Sequence, residues 1–268
     1  MPAIQPARLK IQTAQLVERF ADPLAFCRAL EGLLDTYGDR TFRPGLTGEP
    51  PPLLPSYNAP VQMLRLVARE LAAPAQMQRA PALDLCDAMW EKQSFEFCWL
   101  AATLLGQIDP SPPGEILERV DRWAIHTTEE RLIEVVFSSG LVRLRQEKPE
   151  VYLELVEEWV ETGKTFPQHL GLKALLPLLD KPDVANLPAL FQLITPLVRS
   201  APASLRPDLL DILRRLATLT PKETAYFLRQ NLTIKQDNPG TTWLTRNSLD
   251  YFPAEVRASL RAALRDAR

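Results

Sequence analysis

Apolar residues recur at intervals of three and four along nearly the whole chain, whereas strand-like alternation is almost absent. Such spacing places the apolar side chains on one face of an amphipathic helix. Three stripes are clear: Val61, Leu64, Val67, Ala68 and Leu71; Ile133, Val136, Phe137, Leu141 and Leu144; and Leu205, Leu209, Ile212, Leu213, Leu216 and Leu219. Each stripe is wide enough to pack against neighbouring helices. The pattern predicts an all-α protein.

Proline marks the beginnings of these helices more often than it interrupts them. Its missing N–H has no partner in the first turn of a helix, and its fixed φ suits that position. The chain has 25 prolines. We assign nine of them to first turns: Pro23, Pro60, Pro74, Pro113, Pro149, Pro167, Pro188, Pro221 and Pro253. The residue before Pro23 is Asp22, a good helix cap.

Apolar stripes and prolines together define a series of helices with short connections. We predict helices near 7–20, 23–37, 59–72, 74–91, 94–107, 113–125, 127–146, 149–162, 167–180, 187–200, 205–219, 221–231, 241–251 and 253–267. Short connections favour antiparallel neighbours. We therefore expect an α-α superhelix of HEAT- or armadillo-like helical hairpins. Since no repeat is distinct in the sequence, an irregular helical bundle is the alternative.

One stretch breaks the helical period and divides the chain. Residues 38–58 are rich in proline and glycine, which predicts an extended loop. This loop separates an N-terminal helical hairpin (1–37) from a HEAT-like solenoid (59–268). Alternatively, the loop lies across the helices and covers apolar surface with Leu53, Leu54 and Tyr57.

Charge is distributed unevenly, although the net formal charge is only −2. Residues 84–161 contain 17 acidic and 7 basic side chains, whereas the rest of the chain contains 16 acidic and 24 basic ones. Duplex DNA is bound mainly through Lys and Arg against phosphate. The acidic segment therefore opposes DNA binding unless its carboxylates point away. We expect these carboxylates to line solvated outer faces.

Several classes of site are excluded by composition and spacing. Only 10 glycines are present, and neither GxGxxG nor GxxxxGK[ST] occurs, so nucleotide-binding folds of those kinds are not expected. The two histidines and three cysteines lack metal-ligand spacing. Cys86 and Cys98 lie among apolar neighbours and are predicted to be core residues. We expect no cofactor and no metal.

Location follows from what the sequence lacks. The chain contains no run of eighteen apolar residues, so we expect no membrane-spanning helix. The first residues lack the apolar core of a signal peptide. We expect a cytoplasmic monomer that does not contact membranes.

Three segments carry a resemblance to a known family. They are SYNAPVQMLRLVAREL (56–71), LCDAMWEKQSFEFCWLAATLLGQI (85–108) and VDRWAIHTTEERL (120–132). From Ser56 to the C-terminus the chain resembles the bacterial DNA alkylation repair family of helical-repeat proteins. The first segment is similar to that family's opening helix and the second to its next hairpin. The third lies where the family carries a tryptophan followed four positions later by an aspartate.

The resemblance implies a reaction: removal of a positively charged alkylated base from duplex DNA. In that family the working groups are a Trp and an Asp on one helix, an Arg on a following helix and a further Trp. A carboxylate stabilises the cationic sugar as the bond breaks. Aromatic faces hold the cationic base, and Arg grips phosphate.

This chain departs from that set at two positions. Trp123 is present, but the residue four positions later is Thr127, whose hydroxyl supplies no negative charge. The segment 162–179 resembles the Arg-bearing helix and offers Gln168 and His169 instead. Glu129 is the carboxylate left as a candidate catalytic residue, and it would need an irregular backbone to replace the aspartate.

The remaining candidates have both structural and functional interpretations. Trp123 is either a platform for a base or a core residue between hairpins, and we favour the core. His169 is either a pocket base or a surface residue, and we favour the surface. Trp243 and Arg246 are three positions apart on a predicted helix. They form either a structural cation–π pair or a grip for nucleic acid.

We predict a non-enzymatic interaction scaffold whose concave face binds a protein or nucleic-acid partner. Its candidate binding residues are Trp123, Thr127, His169, Trp243 and Arg246. The alternative is a working glycosylase for alkylated bases, with Glu129 recruited and a basic concave face. A small-molecule enzyme with an unrecognised site is a third possibility, and no motif supports it.

Overall fold

The computed structural model describes residues 6–39, 53–180, 186–233 and 239–266. Within these ranges the secondary structure is helical throughout, with no β-strand, which confirms the predicted all-α fold. Residues 40–52 of the predicted proline-rich loop lie outside the described residues. The α-helices are α1 (Pro6–Val17), α2 (Pro23–Tyr37), α3 (Val61–Met77), α4 (Arg79–Trp90), α5 (Phe95–Leu105), α6 (Gly114–His126), α7 (Glu130–Val135), α8 (Val142–Glu147), α9 (Pro149–Glu161), α10 (Thr165–Leu175), α11 (Leu187–Ser200), α12 (Arg206–Leu219), α13 (Pro221–Thr233), α14 (Pro239–Ser248) and α15 (Ala254–Asp266).

The chain forms two compact units, Met1–Tyr152 and Leu153–Arg268. In the first, α1 packs on α2 and α3, α2 on α4, and α5 on α3, α4 and α7. In the second, α10 packs on α12, α11 on α13 and α14, α12 on α13 and α14, and α13 on α14 and α15. Most of these helices thus contact the next helix or the second one along, and α11 also contacts α14, the third one along. Stacked helical hairpins have this pattern, because equivalent helices of successive hairpins are two elements apart.

Helix starts largely follow the predicted signals. Pro23, Pro149 and Pro221 are the first residues of α2, α9 and α13. The Asp22 carboxylate accepts a hydrogen bond from the backbone N–H of Ala25 at 3.0 Å, which caps α2. Such a cap satisfies an N–H that has no partner within the helix.

Pro74 is an exception, and the predicted helix start there is wrong. Helix α3 runs through Pro74 to Met77, and the break comes at Gln78, whose φ of −129° and ψ of 73° are not helical. Proline removes the hydrogen bond that its own N–H would make to the carbonyl four residues earlier. The turn after it survives, because the N–H of Gln78 still donates to the carbonyl of Pro74 at 2.9 Å.

The single helix predicted over 127–146 is also wrong. Helix α7 passes into a π-helical segment, Val136–Gly140, before α8 begins. This segment packs closely on α5: a Cβ added at Gly106 would lie 1.8 Å from the Ser139 carbonyl oxygen. Arg145 donates to the carbonyls of Phe137 (2.9 Å) and Ser138 (3.2 Å) in this segment. The irregular turn therefore has partners that a sequence period does not reveal.

The core consists mainly of the predicted leucine-rich stripes. All five members of the 133–144 stripe are buried. In the first stripe Val61 is 50% exposed and Ala68 is half-buried, and in the third Leu219 is half-buried. Cys86 and Cys98 are fully buried, as predicted. Among the helices in the described ranges, none combines the length and apolarity needed to cross a bilayer.

Candidate functional site

Trp123 lies near the C-terminal end of α6, inside the core of the first unit. Its side chain is 1% exposed. The indole stacks on that of Trp90 from α4, with ring centroids 4.3 Å apart and planes 7° from parallel. An aromatic platform for a ligand needs an open face, and a parallel stack at this distance occupies one. The low exposure of the side chain means that the other face is covered too.

The backbone turns sharply after Trp123, and this turn brings Glu129 inward. Thr127 ends α6 with an extended conformation (φ −100°, ψ 137°), and its N–H donates to the Trp123 carbonyl at 3.1 Å. Glu129 precedes α7 with φ −82° and ψ 101°. The backbone before α7 is thus irregular, which is the condition for Glu129 to replace the aspartate, and the replacement itself stays a prediction. The exposed fractions are 8% for Thr127 and 5% for Glu129.

Both carboxylate oxygens of Glu129 already have partners. Oε2 accepts a hydrogen bond from the backbone N–H of Leu53 at 2.6 Å. Oε1 lies 3.1 Å from Nε of Arg131, whose guanidinium is 4.6 Å from the ring centre of Phe95. A buried carboxylate requires such compensation, because its desolvation is otherwise costly.

Leu53 belongs to a segment that we call the strap, residues 53–59, and a second buried carboxylate holds it. Glu96 is 2% exposed. Its oxygens accept hydrogen bonds from the Ser56 hydroxyl (2.8 Å) and from the N–H groups of Tyr57 (3.1 Å) and Ala59 (3.2 Å). In addition, the N–H of Phe95 donates to the carbonyl of Pro55 at 2.9 Å.

The strap thus lies against the beginnings of α5 and α7. The Tyr57 ring contacts that of Phe97, with centroids 6.4 Å apart. Leu53, in contrast, is 70% exposed. Of the residues expected to cover apolar surface, Tyr57 does so and Leu53 does not.

His169 lies in the second unit and is not the surface residue that we favoured. Its side chain is 16% exposed, and Nδ1 is 2.7 Å from Oδ2 of Asp208, in the first turn of α12. Nζ of Lys173 is 3.5 Å from Oδ1 of the same carboxylate. Asp208 is 4% exposed. The three side chains therefore form a largely buried polar cluster between α10 and α12.

Trp243 has a cationic partner, but not the predicted one. The Arg206 guanidinium lies 4.4 Å from the Trp243 ring centre, and its Nε donates to the carbonyl of Ala201 at 3.1 Å. Arg246 is exposed, and no cation–π contact to Trp243 is found for it among the described residues. The described residues thus show Arg206, and not Arg246, in the cation–π contact with Trp243, and the other interpretation, a grip for nucleic acid, stays a prediction.

The carboxylates of residues 84–161 mostly face solvent, as predicted. Fourteen of the seventeen are exposed, and the exceptions are Asp87, Glu96 and Glu129. Asp87 binds Arg119 at 2.6 Å and Arg122 at 2.5 Å. Helix α9 differs from the rest, because its five glutamates are accompanied by no basic residue.

Part of α9 borders an open cleft of about 440 Å³ in the second unit. Glu157 and Glu161 form one wall and Gln168 and Gln192 contribute amides, while the apolar lining includes Val160, Leu193 and Leu197. We call this the acidic cleft. It contains neither Glu129 nor any of the five candidate binding residues, but its lining includes Gln168, which lies beside His169 on the segment that resembles the Arg-bearing helix.

The described part of the chain offers few side chains that could bind a metal ion or act as a reactive thiol. No group of three or more His, Cys, Asp or Glu side chains lies close enough there to hold a metal ion. Burial raises the pKa of Cys27 to about 11 and that of Cys98 to about 12, so both thiols stay protonated at neutral pH. A protonated, buried thiol is a poor nucleophile.

Sequence reasoning missed three residues of these sites: Glu96, Arg206 and Asp208. A signal existed for Glu96, which is the one charged residue in the otherwise apolar helix FEFCWLAATLL. A charge in such a helix is expected to be compensated. Arg206 and Asp208 have no comparable signal, since their partners are 37 and 39 positions away.

Comparison with models of known protein families gives a match over most of the chain. The model of the family described as DNA alkylation repair enzyme matches residues 54–252. These residues include every candidate considered above, from Trp123 to Arg246. No curated protein and no solved structure matches the chain.

Proposed function

Because the chain belongs to the DNA alkylation repair enzyme family, we propose that it is a member that has kept the helical fold and binds a macromolecular partner without excising bases. The observation that carries this proposal is the state of the candidate carboxylate. Glu129 is buried, and both of its oxygens are engaged by Leu53 and Arg131. A carboxylate in that state is poorly placed to stabilise a cationic sugar.

Thr127 supports the same conclusion. It stands four residues after Trp123, where the family resemblance leads one to expect an aspartate. Breaking a glycosidic bond builds positive charge, and a preorganised negative group lowers the barrier. A threonine hydroxyl is neutral, and this one is 8% exposed, so it offers neither charge nor access.

Trp123 adds a steric argument. An alkylated base would need one free indole face, whereas this indole is stacked on Trp90 and is 1% exposed. Opening the stack would expose two large aromatic rings to water. The loss of buried apolar area would cost several kcal/mol, on the order of 2 to 3 for each large side chain.

Charge favours a protein over duplex DNA as the partner. Fourteen exposed carboxylates lie within residues 84–161. Each exposed carboxylate near a phosphate backbone opposes association, and the opposition is strongest at low salt. A cationic protein surface would instead be attracted.

An excision assay tests the proposal directly. Duplex DNA carrying N-methylated purines is incubated with the protein, and released free base is quantified against a protein-free sample. We expect release at the spontaneous rate. Accelerated release that is lost in both Trp123→Ala and Glu129→Gln would overturn the proposal.

The two variants have different roles in that assay. Trp123→Ala removes a core side chain and can fail by unfolding, so its circular dichroism spectrum must match that of the wild type before it is interpreted. Glu129→Gln removes the charge and keeps the shape and one acceptor oxygen, but it also breaks the pair with Arg131, so its circular dichroism spectrum must match that of the wild type as well. Glu118→Gln is the matched surface control, since Glu118 is an exposed glutamate of α6 in the same unit.

The glycosylase alternative has one observation in its favour, which is that Glu129 is a buried carboxylate close in sequence to Trp123. For Glu129 to act, the strap would have to release it. The same assay decides between the two proposals, because only a working glycosylase loses base release on Glu129→Gln and binds duplex DNA with steep salt dependence.

A further inference from the structure

The acidic cleft combines an apolar lining with a charged wall. Glu157 and Glu161 are four residues apart on α9, so they project from the same side of the helix. Leu193 and Leu197 have the same spacing on α11 and also line the cleft. Leu193 is half-buried and Leu197 is 5% exposed, so an exposed row of carboxylates and a largely buried row of leucines border the same open trough.

The charge on α9 is not balanced within the helix. Its sequence, PEVYLELVEEWVE, contains five glutamates and no lysine or arginine. All five are exposed, and no ion pair involving them is found among the described residues. Adjacent like charges at i,i+4 repel each other on a helix surface. A cationic partner would relieve that repulsion.

We propose that the acidic cleft binds a basic amphipathic helix of a partner protein. Lysine or arginine residues one turn apart on that helix would face Glu157 and Glu161. Leucine-like residues on the adjacent stripe would pack on Leu193 and Leu197. This is the helix-in-groove mode of recognition, in which side chains at i, i+3 and i+4 act as anchors.

The shape and charge of the cleft argue against other occupants. Small-molecule sites usually bury most of their ligand, whereas this cleft is open. Duplex DNA presents phosphates, which the glutamate wall repels. A basic helix satisfies both the charge and the apolar lining. The inference deepens the proposed function, because it rests on the chain being a binding protein and specifies the chemistry of its partner.

The test uses a designed peptide, because the natural partner is not identified. A fluorescein-labelled Leu/Lys peptide of about 14 residues, roughly four helical turns, is titrated with the full-length protein and followed by fluorescence anisotropy. We expect saturable binding that the double variant Glu157→Gln/Glu161→Gln weakens about fivefold, in line with two partly exposed ion pairs. Raising the salt concentration should weaken wild-type binding more than binding to this variant.

A matched control lies on the same helix. Glu154 and Glu158 are also exposed and also four residues apart, but they do not line the cleft. Glu154→Gln/Glu158→Gln removes the same charge and should change the affinity less than twofold. For the apolar row, Leu193→Ser should weaken binding, whereas Leu153→Ser, on a 40% exposed leucine outside the cleft, should not.

Three results would overturn the proposal: no saturable peptide binding, equal losses in the two glutamate pairs, or equal binding of a lysine peptide that lacks leucine. Saturable binding of a labelled, unmodified DNA duplex to the protein, measured without the peptide, would point to nucleic acid and would also overturn it. These readouts are independent of base release. A failed peptide titration therefore leaves the excision result to judge the proposed function separately.

Discussion

Two regions of the molecule contain paired carboxylates but use them differently: the corner, as we call Trp123, Glu129, Glu96 and the strap in the first unit, and the acidic cleft in the second unit. In the corner, Glu96 and Glu129 are buried and accept hydrogen bonds from the strap. In the cleft, Glu157 and Glu161 are exposed and have no ion pair with any described residue. The first pair stabilises the fold, and the second remains available to a partner.

The difference shows that the place of a residue in the family pattern does not decide whether its side chain is free to bind or react. A buried carboxylate is tolerated only when its charge is compensated. Once its oxygens are paired in this way, the group is not available to bind a ligand or to take part in a reaction. An exposed carboxylate keeps its charge at little cost and is screened only by salt. The family resemblance points to the corner, whereas the carboxylates that lack an ion pair with any described residue are those of the cleft.

The largest effect that would sharpen this comparison is expected from Trp123→Ala. Removing a buried indole leaves a cavity and breaks the stack with Trp90, so the free energy of unfolding should fall by about 4 kcal/mol. Urea unfolding followed by circular dichroism measures it. The control is Trp99→Ala in the same unit, because Trp99 is only half-buried. If the two substitutions cost the same, the indole of Trp123 is not the packed core residue described above.

A smaller loss is expected from Glu96→Ala. Three donors of the strap would lose their acceptor, and the free energy of unfolding should fall by about 3 kcal/mol. Hydrogen exchange at the amides of Tyr57 and Ala59 should become faster, because the strap would detach from α5. Glu91→Ala removes an exposed carboxylate at the end of α4 and should change stability by less than about 0.5 kcal/mol. Unchanged protection of the Tyr57 amide in Glu96→Ala would show that the carboxylate does not hold the strap.

The helical fold was predictable because its causes are local. Apolar spacing and first-turn prolines act within one or two turns, so α2, α9 and α12 were found almost to the residue. The errors arose where tertiary contacts decide. Pro74 is carried inside α3, and the close approach of α5 to Ser139 accompanies a π-helical turn that no period predicts.

The sites were less predictable, because their partners are distant in sequence. The N–H of Leu53 meets Glu129 across 76 positions, and His169 meets Asp208 across 39. Arg206 takes the place at Trp243 that local spacing had given to Arg246. Composition alone indicated the acidity of the 84–161 segment. Which of its glutamates share a cleft with leucines depends on how α9, α10 and α11 pack.

The smallest effect is expected in the cleft itself, and its sign is opposite. Because Glu157 and Glu161 repel each other and lack ion pairs among the described residues, Glu157→Gln/Glu161→Gln should raise the free energy of unfolding by about 0.3 kcal/mol at low salt. The gain should shrink as salt screens the repulsion. Urea unfolding at two salt concentrations measures both effects. A loss of stability would mean that these glutamates already have partners inside the protein, as Glu96 and Glu129 do, and that the cleft is not held open for an outside cation.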